Sequence, residues 1–244
     1  MKNNFANRTG SISPSPQERG KAAQQPGGEV PPRPFLYFTA GTLAACTLLI
    51  LFLDQPIARF IHAHTAGAIP FFQTYTVAAD AGYEAATRTR VLGLPLLYVA
   101  LALAYVLGRW GLKRRGATVW LITLLTHIAA HGSSNVLKGV VHRLRPEVLF
   151  DTGYAGLGLW ATGPHNDSFP SSHTTVFLSL FWPLALAFPR WRLPLLVLPG
   201  LILVGRWVLG AHYVSDVWFS AWLVVAWAML FSWLLRKGEG LFRN

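Results

Sequence analysis

Residues 168–188 read SFPSSHTTVFLSLFWPLALAF, so that Ser171, Ser172 and His173 stand at the mouth of an apolar run long enough to enter a bilayer. A soluble helix alternates polar and apolar faces, and this run does not. The same bias holds outward from it. Of the 244 residues 52% are hydrophobic, only 13% are charged and ten are Trp, with a mean hydropathy of +0.38. That composition belongs to a membrane protein. The formal charge of +11 sits in short clusters between apolar runs and forms no basic stripe, so no nucleic-acid partner is expected. Cys46 is the single cysteine and excludes an intrachain disulfide.

The expected fold is all-α and polytopic, with six transmembrane helices. Spans are predicted at 35–53, 91–108, 117–137, 174–189, 193–210 and 214–235. The first, FLYFTAGTLAACTLLILFL, reaches roughly 28 Å as a helix, close to the hydrocarbon thickness. Residues 54–90 are too polar to span and read as a short amphipathic helix and loop at the interface between the first two spans. Residues 1–34, rich in Pro, Gly, Ser, Gln and Asn, lack an apolar period and read as a disordered cytoplasmic tail without a signal peptide. The membrane domain is placed at 35–237 and a short cytoplasmic tail at 238–244.

Lys and Arg in the loops orient the bundle. They occupy the N-terminal tail, the 109–115 connection, Arg190 with Arg192, and the C-terminal Arg236, Lys237 and Arg243. Both termini are therefore expected in the cytoplasm. The opposite side holds 54–90, 138–173 and the turn at 211–213.

Three polar clusters fall on that opposite side: KGVVHRLRP at 138–146, PSSH at 170–173 and GRWVLGAHYVSD at 205–216. A charged group facing lipid at mid-bilayer costs about 2.5–3.5 kcal/mol, so the clusters are expected to share one cavity. Lys138, Arg145 and Arg206 supply cationic donors, and guanidinium groups grip oxyanions in bidentate fashion. Ser172 is the predicted N-cap of a helix whose free first-turn N–H groups attract an anion. His212 and Asp216 are four residues apart, which on a helix lets the carboxylate orient the ring as a nucleophile or general base. His173, when protonated, can donate to a leaving oxygen. Two imidazoles around a charge-clamped phosphorus describe phosphoester hydrolysis through a phosphohistidine.

The ordered set K-x6-RP, PS-x-H and R-x5-H-x3-D resembles the three-part signature of the type 2 phosphatidic acid phosphatase (PAP2) superfamily of integral membrane lipid phosphatases. The resemblance covers roughly residues 35–235, and its motifs lie within 138–216. It implies His212 as nucleophile, Asp216 as its orienter, His173 as general acid, and Lys138, Arg145, Ser171, Arg206 and the backbone of Ser172 as phosphate ligands. It implies no metal or other cofactor. Ser172 stands where the family usually has Gly, and Gly205 stands where it usually has Ser before the Arg.

The function this implies is removal of phosphate from a lipid phosphate or pyrophosphate at the outer face of a bacterial inner membrane. Phosphatidate, phosphatidylglycerol phosphate, undecaprenyl pyrophosphate and lipid A phosphates are the candidate substrates. Two other readings stand beside it: a phosphotransferase passing the group to another lipid, and a transporter or anion-binding protein, against which the one-sided grouping of charges argues. The HIAAH pair, His127 and His131, has metal-pair spacing but no Glu between and no third ligand nearby, so it reads as helix packing or cleft lining.

Overall fold

The computed structural model describes residues 32–154 and 156–241. The predicted disordered tail lies outside the described residues up to position 31, as do residues 242–244 of the predicted C-terminal tail. The described chain is nearly all α. Helix α1, Pro32–Leu48, passes through a wide π-type turn at Leu49–Leu53 into α2, Asp54–His64. That turn lies just before Pro56, which has no N–H to offer an unbroken helical ladder. Then follow α3 (Ile69–Arg88), α4 (Leu96–Val106), α5 (Thr118–Val141), the short α6 (Pro146–Thr152), α7 (Ser172–Ala187), α8 (Arg192–Val208) and α9 (Val214–Leu241).

Among the described residues three helices are long and apolar enough to cross a bilayer: Phe35–His64, Pro189–Val208 and Val214–Leu235. Leu96–Gly111 and Ser172–Ala187 are apolar but shorter. Helix α5 has 24 residues, but His127, His131, Ser133, Ser134 and Asn135 interrupt its apolar surface.

Helix α7, the continuation of the opening stretch, is the hub and packs against α5, α8 and α9. Its Val176 and Phe177 meet Ile202 of α8 and Tyr75, Ala79 and Tyr83 of α3. Its Leu178 meets Ala130 of α5 and Val224 of α9. Small polar residues at these contacts, Thr123, Thr175 and Ser179 among them, are fully buried and let the helix backbones approach.

Residues 54–90 depart from the interfacial helix-and-loop reading. They form two helices, and the 20-residue α3 packs on α8 and α4 instead of trailing as a loop. Polarity misled here because Tyr75, Asp80 and Tyr83 each place a polar atom against a partner in the bundle. Tyr75 donates to the Leu198 carbonyl at 3.2 Å, and Tyr83 lies 3.1 Å from His127 Nε2. His127 in turn meets Ser179 at 2.9 Å, so this helical histidine is a satisfied packing group.

Candidate active site

The three motifs meet at one end of the bundle. In the first, α5 ends at Val141 with His142 in a left-handed cap, and Arg145 is extended with φ −77° and ψ 157°. Pro146 favours that conformation and opens α6, so Lys138 and Arg145 are not on one helix face. They converge instead on Asp167. Arg145 Nε and Nη2 donate to its two carboxylate oxygens at 2.8 and 2.9 Å, and Lys138 donates to its carbonyl with Nζ 3.9 Å from the carboxylate. Burial pushes the Asp167 carboxyl up, but the Arg145 hydrogen bonds and charge outweigh it and hold it below the usual range.

In the second motif the N-cap is Ser171, not Ser172. The Ser171 hydroxyl accepts from the Thr174 N–H at 3.4 Å and lies 3.0 Å from the Thr174 hydroxyl, while its own N–H donates to Ser220 at 2.8 Å. Ser172 is the first helical residue, and its N–H and that of His173 have no partner within the helix, as at any helix start. Its α conformation needs no glycine, so the Gly-to-Ser departure carries no backbone strain. His173 faces α3, with Nε2 at 3.0 Å from Asp80 Oδ2.

In the third motif the chain leaves α8, turns through Gly210 at φ +64° and folds back, so that the Arg206 carbonyl accepts from the N–H groups of both Ala211 and His212 at 3.1 and 3.2 Å. The R-x5-H spacing is the length of that turn. A Cβ at Gly210 would lie 2.9 Å from the Phe150 ring. One at Gly205 would lie 3.0 Å from the ring of Phe72 on α3, so the absent serine is the room that Phe72 occupies.

His212 precedes α9 and is not on it, and the expected helical pairing with Asp216 is replaced by a longer arrangement. Its Nδ1 meets the Ser168 carbonyl at 2.6 Å, whereas Asp216 Oδ2 is 3.8 Å away. Asp216 is engaged elsewhere: Oδ2 accepts from the Ser168 hydroxyl at 2.6 Å and the Tyr213 N–H at 2.8 Å, and Oδ1 from Arg143 at 2.6 Å. The carbonyl still fixes the tautomer, since it can only accept and Nδ1 must carry the proton, which leaves Nε2 with a lone pair. Burial brings His212 down to about 4, against the raising pull of Asp216.

Beneath this lies a fully buried ion triad. Arg143, 1% exposed, donates to Asp216 on one side and to Asp54 Oδ2 at 2.8 Å on the other, with its guanidinium carbon 4.3 Å from the Tyr213 ring centre. Ser215 also donates to Asp54, from both its N–H and its hydroxyl. Arg206 behaves oppositely. It is 7% exposed, and among the described residues it has no carboxylate within ion-pair distance and no acceptor at Nε, although the charges of Arg145, Asp80, Glu147 and Asp167 reach it. The charges of Arg206 and Lys138 both reach His212.

Sequence reading missed Asp54, Asp80, Arg143, Asp167 and Ser168. Arg143 lay inside the first motif, and Asp54 ended a 19-residue apolar span, a place where a carboxylate needs a partner. Nothing local marked the other three.

A helical membrane-type bundle gathering cations, two imidazoles and a helix N-terminus at one end defines the class. Residues 118–239, half of the chain, match the PAP2 superfamily, and the chain belongs to it. It is similar to the lipid A 1-phosphatase of Rhizobium johnstonii, 33% identical over 103 residues covering 41% of this chain and 42% of that protein. It is also similar to the lipid A 1-phosphatase of Rhizobium etli, 32% identical over 103 residues covering 39% and 44%. The matched stretch thus spans less than half the length of these relatives. No solved structure matches the chain.

Proposed function

We propose that the protein is a lipid phosphatase that removes a terminal phosphate in two steps, through a phosphohistidine on His212. The observation that carries this reading is Arg206. It is a buried cation with no ion-paired carboxylate among the described residues, and the charges of Lys138 and Arg145 act on it, so these cations together are suited to receive an anion. His212 Nε2 attacks phosphorus while Lys138, Arg145, Arg206, the Ser171 region and the Ser172 N–H take up the charge on the equatorial oxygens. The Ser171 hydroxyl is committed to its cap, so it contributes by shaping the turn. His173 protonates the leaving oxygen, and a water then releases phosphate from His212. Asp216 orients His212 through Ser168 and Tyr213 more than by direct contact. The cations supply the electrostatic role that a metal plays elsewhere, so activity is expected without one.

In this reading six helices cross the inner membrane, both termini are cytoplasmic and the site opens on the outer face. The relatives' function makes a lipid A phosphate the first substrate to test, ahead of phosphatidate, phosphatidylglycerol phosphate and undecaprenyl pyrophosphate. Purified protein in detergent should release inorganic phosphate from one of these, and His212→Ala should lower the rate by at least about a thousandfold. Full activity in that variant would refute the nucleophile. Label passing from donor to an added acceptor lipid, with no free phosphate, would favour the phosphotransferase.

A further inference from the structure

We propose that Asp80 is a positioning residue for leaving-group protonation, holding His173 so that its Nδ1 donates the proton. The inference rests on the phosphatase reading and deepens it. It also extends the site beyond the family-matched stretch, because α3 precedes residue 118.

The contact is enforced from both sides. N-terminal to Asp80, Tyr75 is tied to Leu198 of α8, and Phe72 fills the space over Gly205. C-terminal to it, Tyr83 is tied to His127 of α5 and its ring packs 6.1 Å from Phe177. The His173 ring lies nearly parallel to the same Phe177, with centroids 6.5 Å apart. The backbone of Asp80 is thereby held opposite His173, and the His173 ring is flanked by Phe177. An ionised carboxylate only accepts, so at 3.0 Å Nε2 carries the hydrogen between them. Nδ1 makes no hydrogen bond to the described residues and is the ring atom left for substrate. The charge of Asp80 also reaches Arg206.

The step balances on these atoms. The lone pair of His212 Nε2 forms the N–P bond as the P–O bond to the lipid breaks. The electron pair of that bond goes to the leaving oxygen, which takes the proton from His173 Nδ1. His173 is left neutral, with its remaining hydrogen on Nε2 held by Asp80. Its Nδ1 lone pair can then accept a proton from the water that attacks the phosphohistidine.

Leaving-group dependence tests this. Purified wild type, Asp80→Ala, Asp80→Asn and Asp80→Glu are compared on the lipid phosphate ester that wild type cleaves and on p-nitrophenyl phosphate, whose nitrophenolate departs without needing a proton. For the lipid ester, kcat should fall about ten- to a hundredfold in Asp80→Ala and Asp80→Asn. The aryl ester should lose markedly less, vanadate inhibition should hold, and Asp80→Glu should recover part of the lipid rate. Asp80 is partly exposed at 38% of its side chain, and a matched elution profile and melting temperature check that each variant is folded. Equal losses on both esters, or no loss, would overturn the proposal. So would tighter inhibition by vanadate, which would make Asp80 a competing anion. If wild type cleaves neither ester, the phosphatase reading itself falls and takes this inference with it. Active wild type with an indifferent Asp80→Ala removes the inference alone.

Discussion

His212 combines two properties that a nucleophilic imidazole needs: a fixed tautomer and a neutral ring. The Ser168 carbonyl supplies the first at 2.6 Å, and burial supplies the second by bringing the group to about 4. Because the folded value lies below the ordinary histidine value of about 6.5, folding favours the neutral ring. Its contribution to stability is complete above about 6.5 and is lost as pH falls toward 4. Histidine-selective ¹⁵N NMR in detergent should therefore show, at pH 5.5, a neutral-ring signal that disappears in His212→Ala; an unchanged set of neutral rings in that variant would contradict the burial argument. The second residue-scale expectation concerns Ser168. Ser168→Ala keeps the carbonyl but removes the hydroxyl link to Asp216, at a cost of about 1–2 kcal/mol in the barrier, or roughly five- to thirtyfold in kcat at unchanged KM. A rate equal to wild type would mean that Asp216 acts on His212 directly across 3.8 Å.

Helix α2 enters the site through Asp54, and the Asp54–Arg143–Asp216 triad ties the end of the first apolar helix to the start of the last. Removing the cation strands two buried carboxylates, whereas neutralising Asp54 leaves Arg143 still paired with Asp216. Arg143→Met should accordingly lose about 3–5 kcal/mol and Asp54→Asn distinctly less. Thermal unfolding in detergent reads the order, and a reversed order would show that Asp54, not Arg143, is the keystone. Helix α3 is placed by its fit to α8, where Gly205 admits Phe72. Restoring the family's usual residue with Gly205→Ser forces that ring to move by a few tenths of an ångström, and pairing it with Phe72→Leu should recover lost activity. Failure of the pair to exceed Gly205→Ser would remove Phe72 as the reason for the glycine.

The described residues form a helical bundle in which the three motifs meet at one end, and the charges they bring there carry the last prediction. Three cations from three separate segments surround the proposed phosphate, so turnover should survive EDTA while vanadate competes with substrate, mimicking five-coordinate phosphorus. Loss on chelation with recovery on Mg²⁺ would point to a metal-assisted reaction. Much of this was legible along the chain. Apolar runs announced helices because lipid leaves the backbone no other partner, and the charges of the three motifs announced a shared site because isolated charges are costly there. Local spacing also singled out His173, Arg206 and His212 as candidates. It did not fix their partners. Asp80, Asp167 and Ser168 are ordinary polar residues in sequence, and they acquire meaning only because α3 lies on α8 and the 165–168 loop lies on 143–145. Periodicity and hydropathy report what one segment buries. Which carboxylate meets which imidazole depends on how several segments pack at once, and that was decided by the tertiary structure.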